Sequence, residues 1–214
     1  MAVETGSVVC VDNKTEKDLR PYNATRYSLY GNLRSGNYRG GVEPLLSWEY
    51  VHGNQEGWMK IKILNHSEYA GTILRKPTKE VKFPLSEENN IILDNMIKVM
   101  YQANGIGLAA NQIGYNKRMF VMDTSNEKNN PQVFINPIIK SKNNIKMPDI
   151  EGCLSCPGEE VKISRSMSIN LEWTCRHGKF QHKTFFYLPS RVVQHEMDHL
   201  NGKLIIDLSH RERK

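Results

Sequence analysis

The sequence predicts an α+β domain, with antiparallel or mixed strands packed around a central metal-binding helix and an irregular extension at the N-terminus. Three observations carry this. Short β-rich segments recur without regular strand–helix–strand alternation, which argues against a doubly wound α/β sheet. Two segments have helical periodicity with start and stop signals. The second contains His195-Glu196-Met197-Asp198-His199, and histidines four apart on a helix share one face and can chelate one divalent ion.

The 214 residues suffice for one domain with a substantial core plus a tail. Residues 1–58 are rich in Asn, Gly, Tyr and Ser. They hold no sustained period of 2 or 3.6 and read as an irregular or disordered extension. The domain proper is expected over 59–214. Residues 59–64 alternate as in a short strand. Ser86-Glu87-Glu88 starts a helix, with a capping hydroxyl and acids in the first turn. Leu93, Met96, Ile97 and Met100 form its apolar face, and Asn104-Gly105 ends it. Strands are expected at 118–123, 132–136, 168–174 and 179–188, with a hairpin turn at 176–179. Pro189-Ser190 opens the second helix, which stops near Asn201-Gly202.

The composition excludes several classes. Net charge is +6, divided as −1 over residues 1–58 and +7 over 59–214. A basic domain could favour polyanions such as RNA or the ribosome surface, but an ordinary solvated surface accounts for the charge somewhat better, and no Lys/Arg cluster with interleaved aromatics marks a specific nucleic-acid groove. No apolar run approaches a membrane span of about 20 residues, and the first residues have neither a basic start nor a long apolar run, so no secretory leader is expected. Acidic residues Glu4, Asp12, Glu16 and Asp18 argue against a transit peptide, so the cytoplasm is expected, with an organelle left open. Of the cysteines at 10, 153, 156 and 175, two are three residues apart, which points to metal ligation in a reducing compartment rather than disulfides.

A catalytic metal on the His195/His199 helix needs a third ligand and an open fourth position. Glu196 would then reach an activated water. Glu151-Gly152-Cys153-Leu154-Ser155-Cys156 offers the missing donor, and its C-x-x-C spacing creates a rival. Cys153, Cys156, His195 and His199 together would make a closed structural Cys2His2 zinc site. The 38 residues between Cys156 and His195 are far from the spacing of about 12 in a DNA-binding finger. Pro157-Gly158 also suggests that the chain turns away after Cys156. A third reading is a metallopeptidase sharing only the His-Glu-x-x-His helix, although such enzymes mostly draw the third ligand from downstream, where His210 is the sole histidine.

Residues 105–112 (Gly-Ile-Gly-Leu-Ala-Ala-Asn-Gln), 151–155 (Glu-Gly-Cys-Leu-Ser) and 194–202 (Gln-His-Glu-Met-Asp-His-Leu-Asn-Gly) resemble, in order and spacing, the three motifs of the peptide deformylases. The resemblance covers about residues 59–208. It implies removal of the N-formyl group from the initiator methionine of nascent proteins. Cys153, His195 and His199 would bind the metal: iron(II) first, with zinc, nickel or cobalt as alternatives. Glu196 would move the proton, and Gln112 with the Leu154 backbone N–H would stabilise the oxyanion. Gly105, Ile106, Gly107 and Gly152 would lie along the peptide. Ile106, Leu188 and Val192 are candidates for the methionine slot, although ordinary core packing would also account for Leu188 and Val192. The expected partners are the formylated nascent chain and, transiently, the ribosome, with the enzyme a monomer. Asp149 stands where many members carry an apolar residue, and Cys156 where an aliphatic one is usual. The resemblance leaves Cys156 outside the ligand set. Arg165 and Arg191 are expected to pair with acids such as Glu151 or Asp198.

Overall fold

The computed structural model describes residues 50–51, 60–68 and 72–208. The rest of the extension, with Cys10, and the tail with His210 lie outside the described residues. Two short strands, β1 (Tyr50–Val51) and β2 (Lys60–Ile61), pair antiparallel. The strand expected over 59–64 is thus cut short. Beyond Ile61 the backbone bonds to loops instead of a ladder: Leu64 N–H donates to the Gln112 carbonyl at 2.7 Å and His66 N–H to the Ser155 carbonyl at 2.8 Å.

Helix α1 (Glu87–Gln102) forms as its cap predicts. Ser86 Oγ accepts the Asn89 N–H at 3.2 Å, and Glu87 and Glu88 complement the positive end of the helix. Its buried stripe includes Ile92, Leu93, Met96, Val99 and Met100. At the C-terminus Asn104 takes the left-handed conformation (φ 54°), and Gly105 N–H returns to the Met100 carbonyl at 2.8 Å.

The described residues also form an antiparallel sheet in the order β3 (Gly107–Ala109), β4 (Met119–Met122), β5 (Gln132–Lys142), β8 (Ser168–Thr174), β9 (Phe180–Phe186). A separate hairpin pairs β6 (Lys146–Cys153) with β7 (Cys156–Ser166). Helix α2 (Tyr187–Leu200) lies between sheet and hairpin, and a short α3 (Ile205–Leu208) packs on the hairpin. Strand alternation places α1 and α2 on opposite faces of the sheet. Met119 and Val121 join the α1 core, while Phe120 and Met122 join Val192, Val193, Met197 and Leu200 of α2. Phe120 stacks on Phe134 with ring centroids 4.5 Å apart. Burying both sides of β4 explains its unbroken apolar run.

Three boundaries depart from expectation. The final strand ends at Phe186, and Leu188 belongs to the first turn of α2. Pro189 therefore sits inside that turn, where its missing N–H costs no helical bond. Strand β5 continues past Asn136, which adopts φ 50° while its side-chain amide exchanges two 2.8 Å bonds with the Val81 backbone. The third departure concerns Cys156. The chain reverses at Leu154-Ser155, with Cys153 and Cys156 as facing partners, so Pro157-Gly158 lies within β7. There the ladder loses register between Glu151 and Cys153, and Gly158 holds φ 80°, so the pair forms a bulge instead of the turn. No helix among the described residues is long and apolar enough to cross a membrane.

Candidate active site

Helix α2 presents His195, Glu196 and His199 on its buried side, and the β6–β7 turn brings Cys153 to them. The donor atoms of Cys153, His195 and His199 all lie within 4.8 Å of one another. Cys153 Sγ is 3.2 Å from His199 Nε2. Cys156 does not join this group. Its side chain packs with Cys153, Val161, Ile163, Leu204 and Ile205 in the core under the hairpin.

The orientation of His195 is set from behind. Its Nδ1 lies 3.0 Å from Glu151 Oε2. An ionised carboxylate only accepts, so Nδ1 carries the proton and Nε2 keeps its lone pair for the site. Glu151 is fully buried. Arg165 grips it through Nε and Nη2, each at 2.9 Å, and Arg191 Nη1 donates at 2.6 Å. Asp198 also pairs with Arg165, so two guanidiniums meet two carboxylates. Burial opposes the charge on Glu151, but the Arg165 and His195 hydrogen bonds outweigh it and hold the carboxyl well below the usual range. Gln194 and Ser190 anchor the same helix to the Ser166 carbonyl, each at 2.9 Å.

Glu196 has the opposite environment. Burial pushes its carboxyl up to about 7, and its Oε2 has no hydrogen-bond partner among the described residues. It fits only because position 107 lacks a side chain: a Cβ on Gly107 would lie 2.3 Å from Glu196 Oε1 and 2.9 Å from Val192 Cγ1.

The donor set fits a divalent ion. Burial, then the neighbouring Cys156 thiol, pushes the Cys153 thiol well above its usual value. Burial, then His195, pushes His199 well below. His199 is therefore neutral, as a metal ligand must be, and a cation beside Cys153 would supply the stabilisation its thiolate lacks. One thiolate and two imidazoles suit zinc or iron(II).

Gln112 is locked in a 3-10 turn (Ala110–Ile113). Its Oε1 accepts the Ala109 N–H at 2.8 Å, and its Nε2 donates to Ser155 Oγ at 3.2 Å. This fixes the amide so that Nε2 lies 3.9 Å from Cys153 Sγ. Leu154 occupies the turn immediately after Cys153, and its side chain packs against the α1 core. A Cβ on Gly105 would come within 3.0 Å of Leu154 Cδ1. Gly152 is buried in β6. Ile106, Leu188 and Val192 share one apolar cluster, with Val192 fully buried and the other two half-buried.

Sequence patterning left the partners of Glu151 open among several residues and gave Ser155 no contact. Burial alternates from Lys146 to Ile150, but the residue types do not follow it: Asp149 is half-buried and Ile150 exposed, so β6 carries no clean alternation in the sequence. The Ser155 contact depends on two segments meeting in space and has no local signature.

Comparison with known proteins follows the same outline. Residues 60–214 match the family described as polypeptide deformylase. A peptide deformylase of Xylella fastidiosa (strain M12) is 44% identical over 137 residues, covering 62% of this chain and 80% of that one. One from Pelagibacter ubique (strain HTCC1062) is 43% identical over 137 residues, covering 63% and 79%. Among solved structures, the Synechococcus elongatus peptide deformylase in complex with actinonin superposes with a TM-score of 0.66 at 34% identity, covering 71% of this chain and 81% of that one. The Thermotoga maritima enzyme gives 0.63 at 38%, covering 69% and 96%. With residues 60–214 matched by the family model and relatives more than 40% identical over most of their own length, the chain belongs to the polypeptide deformylase family.

Proposed function

We propose that the chain removes the formyl group from the N-terminal formyl-methionine of nascent peptides, releasing formate, and that it does so with one divalent metal held by Cys153, His195 and His199. The observation that carries the reading is the placement of Glu196, a buried carboxyl with a pKa near 7 on the helix turn between two imidazole donors. Iron(II) is the first candidate, with zinc, nickel and cobalt as alternatives. Bound there, the ion would acidify a water towards a pKa of about 7 and polarise the formyl carbonyl.

The chain's own groups supply the rest. Glu196 accepts a proton from the attacking water and returns one to the departing amine nitrogen, a role suited to a carboxyl poised near neutrality. Gln112 Nε2 and the Leu154 N–H donate to the formyl oxygen as negative charge builds, each worth about 3–4 kcal/mol in comparable sites. The peptide runs beside Gly105-Ile106-Gly107 and Gly152. Strand β3 is at the edge of its sheet among the described residues, which leaves one side for an added strand. Ile106, Leu188 and Val192 line the slot for the methionine side chain.

The catalytic domain spans 59–214, with 1–58 as an extension; the family match beginning at residue 60 supports that boundary. The +7 charge of the domain favours transient contact with the ribosome where nascent chains emerge. The enzyme acts as a monomer in the cytoplasm or a protein-synthesising organelle, without binding specific nucleic acid or a membrane. Formate release from a formyl-Met peptide tests the reading, with wild type and Glu196→Ala both loaded anaerobically with iron(II). Wild type should release formate, and the variant should keep its metal and lose turnover. An inactive, metal-loaded wild type would sink the assignment.

A further inference from the structure

A second thiol lies against the proposed metal ligand, and the ligand set does not use it. Cys156 is the cross-strand partner of Cys153. The two thiols are in hydrogen-bond contact, and both are buried in the same small core with exposures of 0% and 2%. Facing residues of an antiparallel pair have Cα atoms about 4.5–5.5 Å apart, inside the roughly 4.4–6.8 Å span of disulfides. The bulge at Pro157-Gly158 interrupts the ladder beside the pair, so the turn can tighten without breaking a regular register. Cys175 does not belong to this cluster.

We propose that Cys153 and Cys156 form a reversible modification site: a hydroperoxide oxidises the ligand cysteine, and Cys156 resolves it as a disulfide. The inference rests on Cys153 being a metal ligand, as set out above. Cys153 Sγ converges with the donor atoms of His195 and His199 where the formyl group would react under that reading, so a small peroxide with two adjacent oxygens would approach it by the same route. The sulfur takes the distal oxygen, the O–O bond breaks, and an alcohol (or water, from hydrogen peroxide) leaves. Cys156 Sγ then attacks the sulfenic sulfur, the S–O bond breaks and water departs. In sum the ligand thiolate and the Cys156 thiol give up one proton and two electrons, and the peroxide takes the electrons and leaves as an alcohol (or water) and hydroxide. The disulfide withdraws the thiolate from His195 and His199 and releases the metal. It also stops Cys153 short of the sulfinic and sulfonic states, which thiols do not reverse. A dithiol restores both cysteines by exchange.

The test uses zinc-loaded full-length protein, which avoids iron-driven radical chemistry. After hydrogen peroxide treatment, free zinc is read with a chromogenic chelator and unreduced peptides are mapped by mass spectrometry. Wild type should lose one zinc per chain and yield a Cys153–Cys156 cross-linked peptide lighter by two hydrogens. Dithiothreitol should restore zinc binding. Cys156→Val, which keeps an apolar side chain in the core, should lose zinc with Cys153 as sulfinic or sulfonic acid and should not recover; Cys156→Ser should fail to recover as well. The proposal is overturned if wild-type Cys156 remains alkylatable while Cys153 is oxidised, if Cys153 pairs instead with Cys10 or Cys175, or if the variants recover as fully as wild type. Peptide mapping requires no turnover, so a failed deformylase reading and a failed disulfide remain distinguishable.

Discussion

The residues proposed to hold and serve the metal come from two regions of different stiffness. Helix α2 supplies His195, Glu196 and His199 from a segment whose back is fastened by Glu151, Arg165, Arg191, Ser190 and Gln194, all buried. The β6–β7 turn supplies Cys153 and Leu154 from a two-residue reversal beside a bulge, with a small core beneath it. The helix side is preorganised by hydrogen-bonded charges, whereas the turn side depends on packing and, under the proposed function, on the bond from Cys153 to the metal. Helix variants should therefore damage fold and chemistry together, and turn variants should change the site while sparing the fold.

The largest effect is expected where strand β6 fastens the back of the helix. Glu151→Ala leaves two buried guanidiniums without their common carboxylate and His195 without its orienting acceptor. Breaking a buried pair this way costs about 3–5 kcal/mol, a fall of roughly 6–20 °C in Tm for a domain of this size. Thermal denaturation with metal analysis should show lower stability and weaker metal retention, and a Tm within a degree or two of wild type would break the contrast. Next comes Gly107→Ala. Its methyl would meet Glu196 Oε1 at 2.3 Å, and a displacement near 1 Å at a reacting group can cost about 100-fold in rate. Formate-release kinetics should show the loss in kcat with metal content unchanged; unchanged kcat would remove Glu196 from the chemistry.

A control outside both regions sharpens the comparison. Asp123 accepts Tyr101 Oη at 2.6 Å and the Ser125 and Asn130 N–H groups at 2.8 and 2.9 Å. Burial works against its charge, but these hydrogen bonds prevail and hold the carboxyl below its ordinary value. Such a group contributes stability that is present above the unfolded pKa, near 3.9, and lost as pH falls through the lower folded value. Asp123→Asn should thus cost about 1–3 kcal/mol at neutral pH, with a gap to wild type that narrows below about pH 4. Chemical denaturation at several pH values checks this, and a gap that widens in acid would contradict the sign. The smallest effect belongs to the turn. Ser155→Ala removes one of the two bonds that orient Gln112, worth about 0.5–1.5 kcal/mol. A several-fold drop in kcat should follow, with Tm and metal content near wild type.

The same contrast explains what could be read in advance. The two histidines and Glu196 were legible because helical periodicity converts spacing directly into a shared face. Helix α1 was legible through its Ser86 cap and Asn104 stop. The β6–β7 hairpin was not, because Pro148, Gly152 and Pro157-Gly158 interrupt the alternation that marks strands, and a bulge breaks the period of two. That is why Pro157-Gly158 looked like a turn. The strand at 59–64 shrank for a related reason: from Leu64 to His66 the backbone donates to the Gln112 and Ser155 carbonyls, which no local pattern reveals. The resemblance supplied Gln112 and Leu154, but the locking of Gln112 by Ala109 and Ser155 emerged only in three dimensions.

X-ray absorption on the zinc-loaded protein tests the three-ligand site most directly, because it counts sulfurs around the metal. The account predicts one sulfur at about 2.3 Å with nitrogen and oxygen neighbours at about 2.0–2.2 Å, unchanged in Cys156→Val. Two sulfurs in wild type, falling to one in the variant, would mean a closed Cys2His2 site with no position left for the reacting water.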